Sequence, residues 1–242
     1  MKVKNIYKVN TFKKLVKGNS YVGRGIISGL SKDGKNAVAA YFIMGRSANS
    51  RNRIFVEENS VVYTKPFDES KVEDPSLIIY AAVREYEKSL VFTNGDQTDT
   101  IVNGLKVGKS FFDALKSRKF EPDFPNLTPR ISAIQNFDKD FSYSLSILKS
   151  ADEEGSACNR YLFDFEPIKG VGHFIHTYVC DGNPIPTFQG EPERVLIPNS
   201  IDSFTNDIWN SLDENNKISL YVRYTNLKTG RKKERLINKN TK

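Results

Sequence analysis

Val38-Ala39-Ala40-Tyr41-Phe42-Ile43-Met44 is a continuous apolar run that breaks off into Gly45-Arg46-Ser47-Ala48-Asn49-Ser50-Arg51-Asn52-Arg53. A bulky apolar run of this length after a turn signal reads as a buried strand. A strand needs a partner, and Tyr21 to Leu30 supplies one, rich in glycine. Between them, Asp33-Gly34 in Ser31-Lys32-Asp33-Gly34-Lys35 offers the positive φ that a hairpin turn requires. Glycine inside a strand also marks a bulge or a close approach of backbone to ligand. The buried strand thus delivers three arginines, two asparagines and two serines to one place. Guanidinium groups hold phosphate in a planar fork, and hydroxyls and amides add neutral hydrogen bonds. An anion-binding loop for a phosphate ester is one reading. A solvated loop whose arginines pair with nearby acids is the other, and the pattern leaves both open.

Further along, the chain keeps the same style. Val61 to Thr64 reads as a short strand, and Ser76–Glu85 with Ser89–Thr93 as a second hairpin. Asn94-Gly95-Asp96-Gln97-Thr98-Asp99 then leads into a helical pattern, with Asp96 or Thr98 as the expected cap. Ser110 is expected to cap a second helix. Strands are expected from Thr128, near 141–149, 160–166 and 172–180, and a helix from Ser200 or Asp202. Ile218, Leu220, Val222 and Tyr224 alternate with Ser219, Tyr221, Arg223 and Thr225, the period of a strand with two unlike faces. Many hairpin strands with grouped helices predict a single α+β domain over 1–242, with helices packed on antiparallel sheets. Residues 1–20 form an extension that packs loosely or adds a strand, and residues 228–242 a short strand or basic tail.

The net charge of +7 sits at these two ends. Residues 1–17 carry six lysines and no acid, and residues 228–242 carry seven basic residues against Glu234 alone. The body between is mildly acidic. A nucleic-acid binder spreads its basic residues over one face, so nucleic acid is not the favoured partner. No apolar run is long enough to span a bilayer, which leaves no membrane partner. No signal peptide is visible, so the cytoplasm is the expected location. Cys158 and Cys180 make neither a disulfide framework nor a zinc cluster.

Histidine and nucleophile chemistry find little support. His173 and His176 are the only histidines, and on a strand a spacing of three puts them on opposite faces, so no metal is expected. There is no nucleophile elbow, phosphate-binding glycine loop or dinucleotide fingerprint. What remains is a set of polar groups beside strand ends: Arg24, Arg46, Arg51, Asn94, Asp99, Glu121 and Arg130. Their repeated placement predicts one shared pocket.

At these residues the sequence resembles the IMP cyclohydrolase family of archaeal type. The likeness runs through Tyr21-Val22-Gly23-Arg24, Arg46-Ser47 with Arg51, Ser76 to Tyr80, Asn94-Gly95 with Thr98-Asp99, Glu121-x-Asp123 and Thr128-Pro129-Arg130-Ile131. Bacterial cyclohydrolase-like relatives also share Gly172-His173, His176-Thr177-Tyr178, Asp181-Gly182-Asn183-Pro184 and Gly190-Glu191-Pro192. The resemblance implies a four-layer αββα sandwich like that of N-terminal-nucleophile hydrolases, without that nucleophile. Met1-Lys2 accordingly offers no Cys, Ser or Thr. It implies closure of 5-formamidoimidazole-4-carboxamide ribotide, a small ribonucleotide, to IMP with loss of water and no cofactor. It assigns catalysis to Arg51, Tyr80 and Glu121, and substrate binding to Arg24, Arg46, Ser47, Asn94, Asp99 and Arg130. The sequence departs from the family at Ala81, where Asn is usual, and at Ala48-Asn49-Ser50, where Phe-Pro-Asn is usual. An amide hydrolase on the same scaffold, or a nucleotide- or nucleic-acid-binding module, remains as an alternative, and a homo-oligomer is left open.

Overall fold

The computed structural model describes residues 5, 7–72 and 78–240. The expected strand start at Ser76 and the Met1-Lys2 terminus lie outside the described residues. In chain order the elements are α1 (Phe12–Leu15), β1 (Arg24–Leu30), β2 (Asn36–Met44), α2 (Ala48–Arg51), β3 (Ile54–Glu58), β4 (Val61–Lys65), β5 (Tyr80–Tyr86) and β6 (Ser89–Thr93). They continue with α3 (Gln97–Lys106), α4 (Phe111–Leu115), β7 (Arg130–Asn136), β8 (Ser142–Ser150), β9 (Cys158–Phe165), β10 (Val171–His176), β11 (Glu193–Leu196), α5 (Ile201–Ser211), β12 (Lys217–Asn226) and β13 (Lys232–Asn238).

The strands form two antiparallel sheets, ordered β11-β10-β1-β2-β12-β13 and β3-β4-β5-β6-β7-β8-β9. The β1–β2 hairpin turns where the sequence predicted. Gly34 has φ 74°, and Asp33 accepts a hydrogen bond from Ser31 Oγ at 2.7 Å. The sheets face each other across a core built from Ile26, Tyr41, Ile43 and Tyr221 on one side and Phe55, Tyr80, Phe92, Ile131 and Leu145 on the other. On the outer face of the first sheet, Phe204 and Ile208 of α5 cover Phe42, Phe174 and Val222. On the outer face of the second, Ile101, Val102 and Leu115 from α3 and α4 cover Val91, Ile134 and Leu148. A strand covered on both faces has no reason to alternate, which is why β2 reads as an unbroken apolar run.

The two unlike faces of β12 are both buried. Its polar side faces the second sheet, with Arg223 meeting Glu85 of β5 across the gap and Glu234 of the neighbouring β13, and Ser219 Oγ donating to Asn238 of β13 at 2.7 Å. The basic 228–242 segment is not a tail but largely β13, with Lys232 Nζ 2.6 Å from Glu85 and Arg235 Nε 2.7 Å from Asp202. The 1–20 extension is not loosely packed. Phe12 of α1 is fully buried, edge-on to Phe42 at 5.8 Å and Phe174 at 5.3 Å. Asp96 stands at the N-cap position of α3 but makes no cap hydrogen bond, whereas Ser110 and Ser200 cap α4 and α5 as expected.

The histidines do take opposite faces of β10. His173 looks between the sheets, stacked 3.7 Å from Phe165, with Nδ1 2.7 Å from Tyr143 Oη. His176 lies on the outer face against Phe174 and Phe188, its Nδ1 2.6 Å from Tyr178 O.

Replacing Phe12 by Ala should cost about 3–5 kcal/mol in urea unfolding, the scale of emptying a closed aromatic site. A dispensable extension would leave stability within about 0.5 kcal/mol. His173 supplies a second test. Burial, aided by Arg194, pushes its pKa down to about 4 from an ordinary value of about 6.5. A depressed folded pKa means the neutral ring is the one that fits, so its contribution is present above about pH 6.5 and is lost as pH falls toward about 4. The midpoint of thermal unfolding should drop across this window, and drop less in His173→Gln.

Candidate active site

One end of the stacked sheets collects buried charge. Antiparallel pairing puts the start of β1, the end of β2, the starts of β5 and β7 and the end of β6 at that end, with Arg24 opposite Ile43 and Thr93 opposite Ser132. Arg24 and Arg130 open their strands there and Tyr80 opens β5. Glu121 arrives from the loop after α4 and is 6% exposed. Arg24 Nη2 stands 4.0 Å from Glu121 Oε2. Tyr41 of β2 and Tyr80 reach across the core to each other, their hydroxyls 3.0 Å apart.

A further arginine enters from below α2. Asn52 caps the C-terminus of that short helix, and its side chain clamps Asp68 through Nδ2 to O at 2.7 Å and backbone N to Oδ1 at 2.7 Å. The clamp fixes the step into β3, and Arg53 is left 7% exposed, close enough to Arg24, Tyr80, Tyr41 and Glu121 for their charges to act on it.

The electrostatics follow from burial. Desolvation raises the Glu121 pKa, with Arg24, Arg130 and Arg53 opposing it and Asp123 adding to it. The carboxyl therefore holds a proton more readily than an exposed one. Desolvation works against the charge of Arg24, but the charge of Glu121, and then the phenol groups of Tyr21, Tyr178 and Tyr80, outweigh it and raise its pKa. Arg53 goes the other way, lowered first by burial and then by Arg24. Tyr41 is raised by burial and then by Tyr80, which keeps its phenol protonated. The Nε atoms of Arg24 and Arg53 are buried without a hydrogen-bond partner. An unpaired buried donor costs about 1–3 kcal/mol, and such costs collect at functional sites.

Around this centre the polar groups are held in place. Asp123 accepts from Thr128 N at 2.6 Å and from Thr128 Oγ1, which also bonds the Tyr178 hydroxyl. Tyr178 stacks on Tyr21, and Arg46 lies 5.2 Å over the Tyr21 ring. Arg130 Nη1 donates to Gln97 Oε1 at 2.7 Å and pairs with Asp96 at 2.8 Å. This explains the uncapped α3, because Asp96 is turned to Arg130 and Arg118. Gly95 leaves room for this pair, since a Cβ there would stand 2.4 Å from Arg130 Nη1 and 2.7 Å from Gln97 Oε1 and push both aside.

Of the expected residues, Arg24, Tyr80, Glu121 and Arg130 come together at this end. The other expected residues lie around or apart from them. Arg46 is a rim residue, ion-paired with Asp181 and donating to Gly182 O at 2.8 Å. Asn94 is a brace behind Arg130, with its Nδ2 on Pro129 O at 2.9 Å and its Oδ1 on Ile131 N at 2.8 Å. Ser47 is the N-cap of α2, its Oγ accepting from Ser50 N at 3.1 Å. Arg51 is exposed and turned to the protein's own surface, donating to Gly45 O at 3.1 Å and Asn216 Oδ1 at 3.0 Å. Asp99 pairs with Arg84 on the helix side of the second sheet, with Tyr80 on the opposite face. A helix that buries Gln97, Thr98, Ile101 and Val102 turns residue 99 away from the core. Sequence reasoning counted Arg53 in the candidate anion-binding loop without singling it out, and passed over Tyr41, Tyr178, Thr128 and Gln97, which also stand in or against this cluster. For Arg53 a signal existed, because it directly precedes the apolar pair Ile54-Phe55 and so stands at a strand entrance.

A family model for IMP cyclohydrolase-like protein matches residues 21–230, which is most of the chain. The chain belongs to the IMP cyclohydrolase-like protein family. Among curated proteins it is 37% identical to an IMP cyclohydrolase of Methanopyrus kandleri over 117 residues, covering 47% of this chain and 58% of that one. It is 26% identical to one of Methanococcus aeolicus over 171 residues, 66% of this chain and 75% of that one. With the Methanocaldococcus jannaschii protein it shares 33% over 117 residues, 47% of this chain and 56% of that one. The chain thus spans somewhat over half the length of the first and third of these relatives. The matched family segment contains every residue of the buried cluster.

Proposed function

We propose that the chain is an IMP cyclohydrolase-like enzyme of purine biosynthesis, closing 5-formamidoimidazole-4-carboxamide ribotide to IMP and releasing water. The observation that carries this is the pair Arg24 and Arg53, two buried guanidiniums, the first 4.0 Å from the Glu121 carboxylate and the second within reach of its charge. Two cations beside one acid favour an anionic ligand, and a ribotide phosphate or a developing oxyanion supplies one. The substrate needs an opening at this end, since the surface clefts around Lys8 and Arg194, around His176 and around Glu85 lie elsewhere. On the two-sheet, two-helix-layer arrangement we read a four-layer αββα sandwich related to N-terminal-nucleophile hydrolases, as one cytoplasmic domain over 1–242.

The chemistry is an intramolecular addition followed by dehydration, and this reading needs no cofactor. The carboxamide nitrogen bonds to the formyl carbon, the formyl oxygen becomes a hydroxyl, and that hydroxyl leaves as water with a proton from the ring nitrogen lost. Holding the reactive rotamer supplies part of the barrier reduction. Glu121, whose pKa burial raises, suits proton transfer to and from these atoms. If Tyr41, which is fully buried, donates to Tyr80, the Tyr80 proton is free to meet the formyl oxygen. Arg53 takes the inner arginine role that the family resemblance placed on Arg51, because Arg53 lies beside Glu121 and Tyr80. Arg24 and Arg130 complete the positive wall, with Arg46 at the rim; Asn94 acts by bracing.

Three measurements follow. Purified protein incubated with the formylated ribotide should generate IMP absorbance, and a folded sample with no rate above the uncatalysed one would sink the reading. In that assay Arg53→Lys should lower kcat/KM roughly tenfold or more, the scale of a lost charge-assisted pair, with Arg51→Lys falling less. Equal losses would return the role to Arg51. Glu121→Gln should lower kcat by about 10²–10⁴ with little change in KM, because it removes proton transfer and keeps shape.

A further inference from the structure

A sheet edge exposes unpaired backbone donors and acceptors, and proteins block such edges. Among the described residues, three of the four edges are blocked. Outside β11, the backbone of Asn10 exchanges hydrogen bonds with Arg194 O at 3.2 Å and Leu196 N at 2.8 Å. Outside β3, the side chain of Asn238 takes Phe55 N at 2.8 Å and gives to Phe55 O at 2.9 Å. The edge strand β13 carries Lys232, Lys233, Glu234 and Arg235 in succession.

The fourth edge, β9, is different. It is eight residues long and none of them is buried. Tyr161 and Leu162 at its middle are exposed apolar side chains, 43% and 42% open. Its only charges are Arg160 and Asp164, placed symmetrically about Leu162. An antiparallel strand paired with its own copy about a two-fold axis at Leu162 sets residue 160 opposite residue 164, and 161 opposite 163. That register makes two Arg–Asp pairs, two Tyr–Phe pairs and one Leu–Leu contact, a self-complementary set. Arg160 is already oriented on this face, Nη2 donating to Arg118 O at 2.8 Å, and Asp164 Oδ1 accepts from Ser144 at 2.6 Å. Its other oxygen meets no hydrogen-bond donor among the described residues.

We propose that β9 pairs antiparallel with β9 of a second copy of this chain, joining the two seven-stranded sheets into one across a two-fold axis. This interface lies on the second sheet's far edge and does not depend on which reaction the buried cluster performs. The full chain should sediment as a dimer, or as a larger assembly built from dimers, at micromolar concentration. Arg160→Glu and Asp164→Lys should each raise the dimer dissociation constant roughly tenfold or more, since two attractive cross-strand pairs become two repulsive ones. Combining them should restore the dimer, because the acid and the base have then changed places and attract again across the axis. Arg160 also touches Arg118, so Asp164→Lys serves as the variant free of that contact, with folding checked by circular dichroism. A wild-type chain that stays monomeric, folded single variants that dimerise unchanged, or a folded double variant that stays apart would each overturn the proposal.

Discussion

The structure depends on a buried charge set that would be costly without the packing around it. Arg24, Arg53 and Glu121 are each under a tenth exposed, at one end of the space between the sheets. Removing such ions from water costs several kcal/mol each unless they are paired and their remaining donors and acceptors are met. The Arg24–Glu121 approach and the surrounding tyrosines offset part of this, and the unpartnered Nε atoms show that the offset is incomplete. The surrounding parts keep the set from rearranging. Asn52 locks the entrance of β3, Thr128 holds Asp123, and Asn94 with Gln97 ties the β6–α3 turn to β7.

The same two-sheet frame explains why the chain ends are not ornaments. An exposed outer face on the first sheet would leave Phe42 and Phe174 in water, and α5 alone does not cover them. Phe12 completes that layer, and Asn10 closes the β11 edge in the same pass. At the other end of the chain, β13 widens the first sheet, and Asn238 closes β3 of the second sheet. Edge closure and core completion are thus done by the same short segments, and basic residues of β13 meet acids of the body such as Glu85.

Much of this was legible in the residues. The β1–β2 and β5–β6 hairpins, the caps Ser110 and Ser200, and the opposite faces of His173 and His176 are local matters of turn chemistry and period. So was the class of two antiparallel sheets with helices. The gathering of Arg24, Glu121 and Arg130 at one end was legible because each sits at a strand or loop boundary, whereas Tyr80 came from the family resemblance. Arg51 and Arg53 were not separable, because the difference between them is one short helix, α2, whose capping box at Ser47 and Ser50 sets which arginine turns inward.

The sequence by itself determined where strands begin and turn, because those choices rest on side chains within a few residues of each other. Only the tertiary structure decided which charges share a site. Asp99 and Tyr80 lie on opposite faces of one sheet, while Tyr41 and Tyr80, far apart in the chain, touch hydroxyl to hydroxyl. The physical reason is that which face a side chain occupies becomes a distance only after two sheets have stacked. The burial that shifts Glu121 exists only in that stacked state.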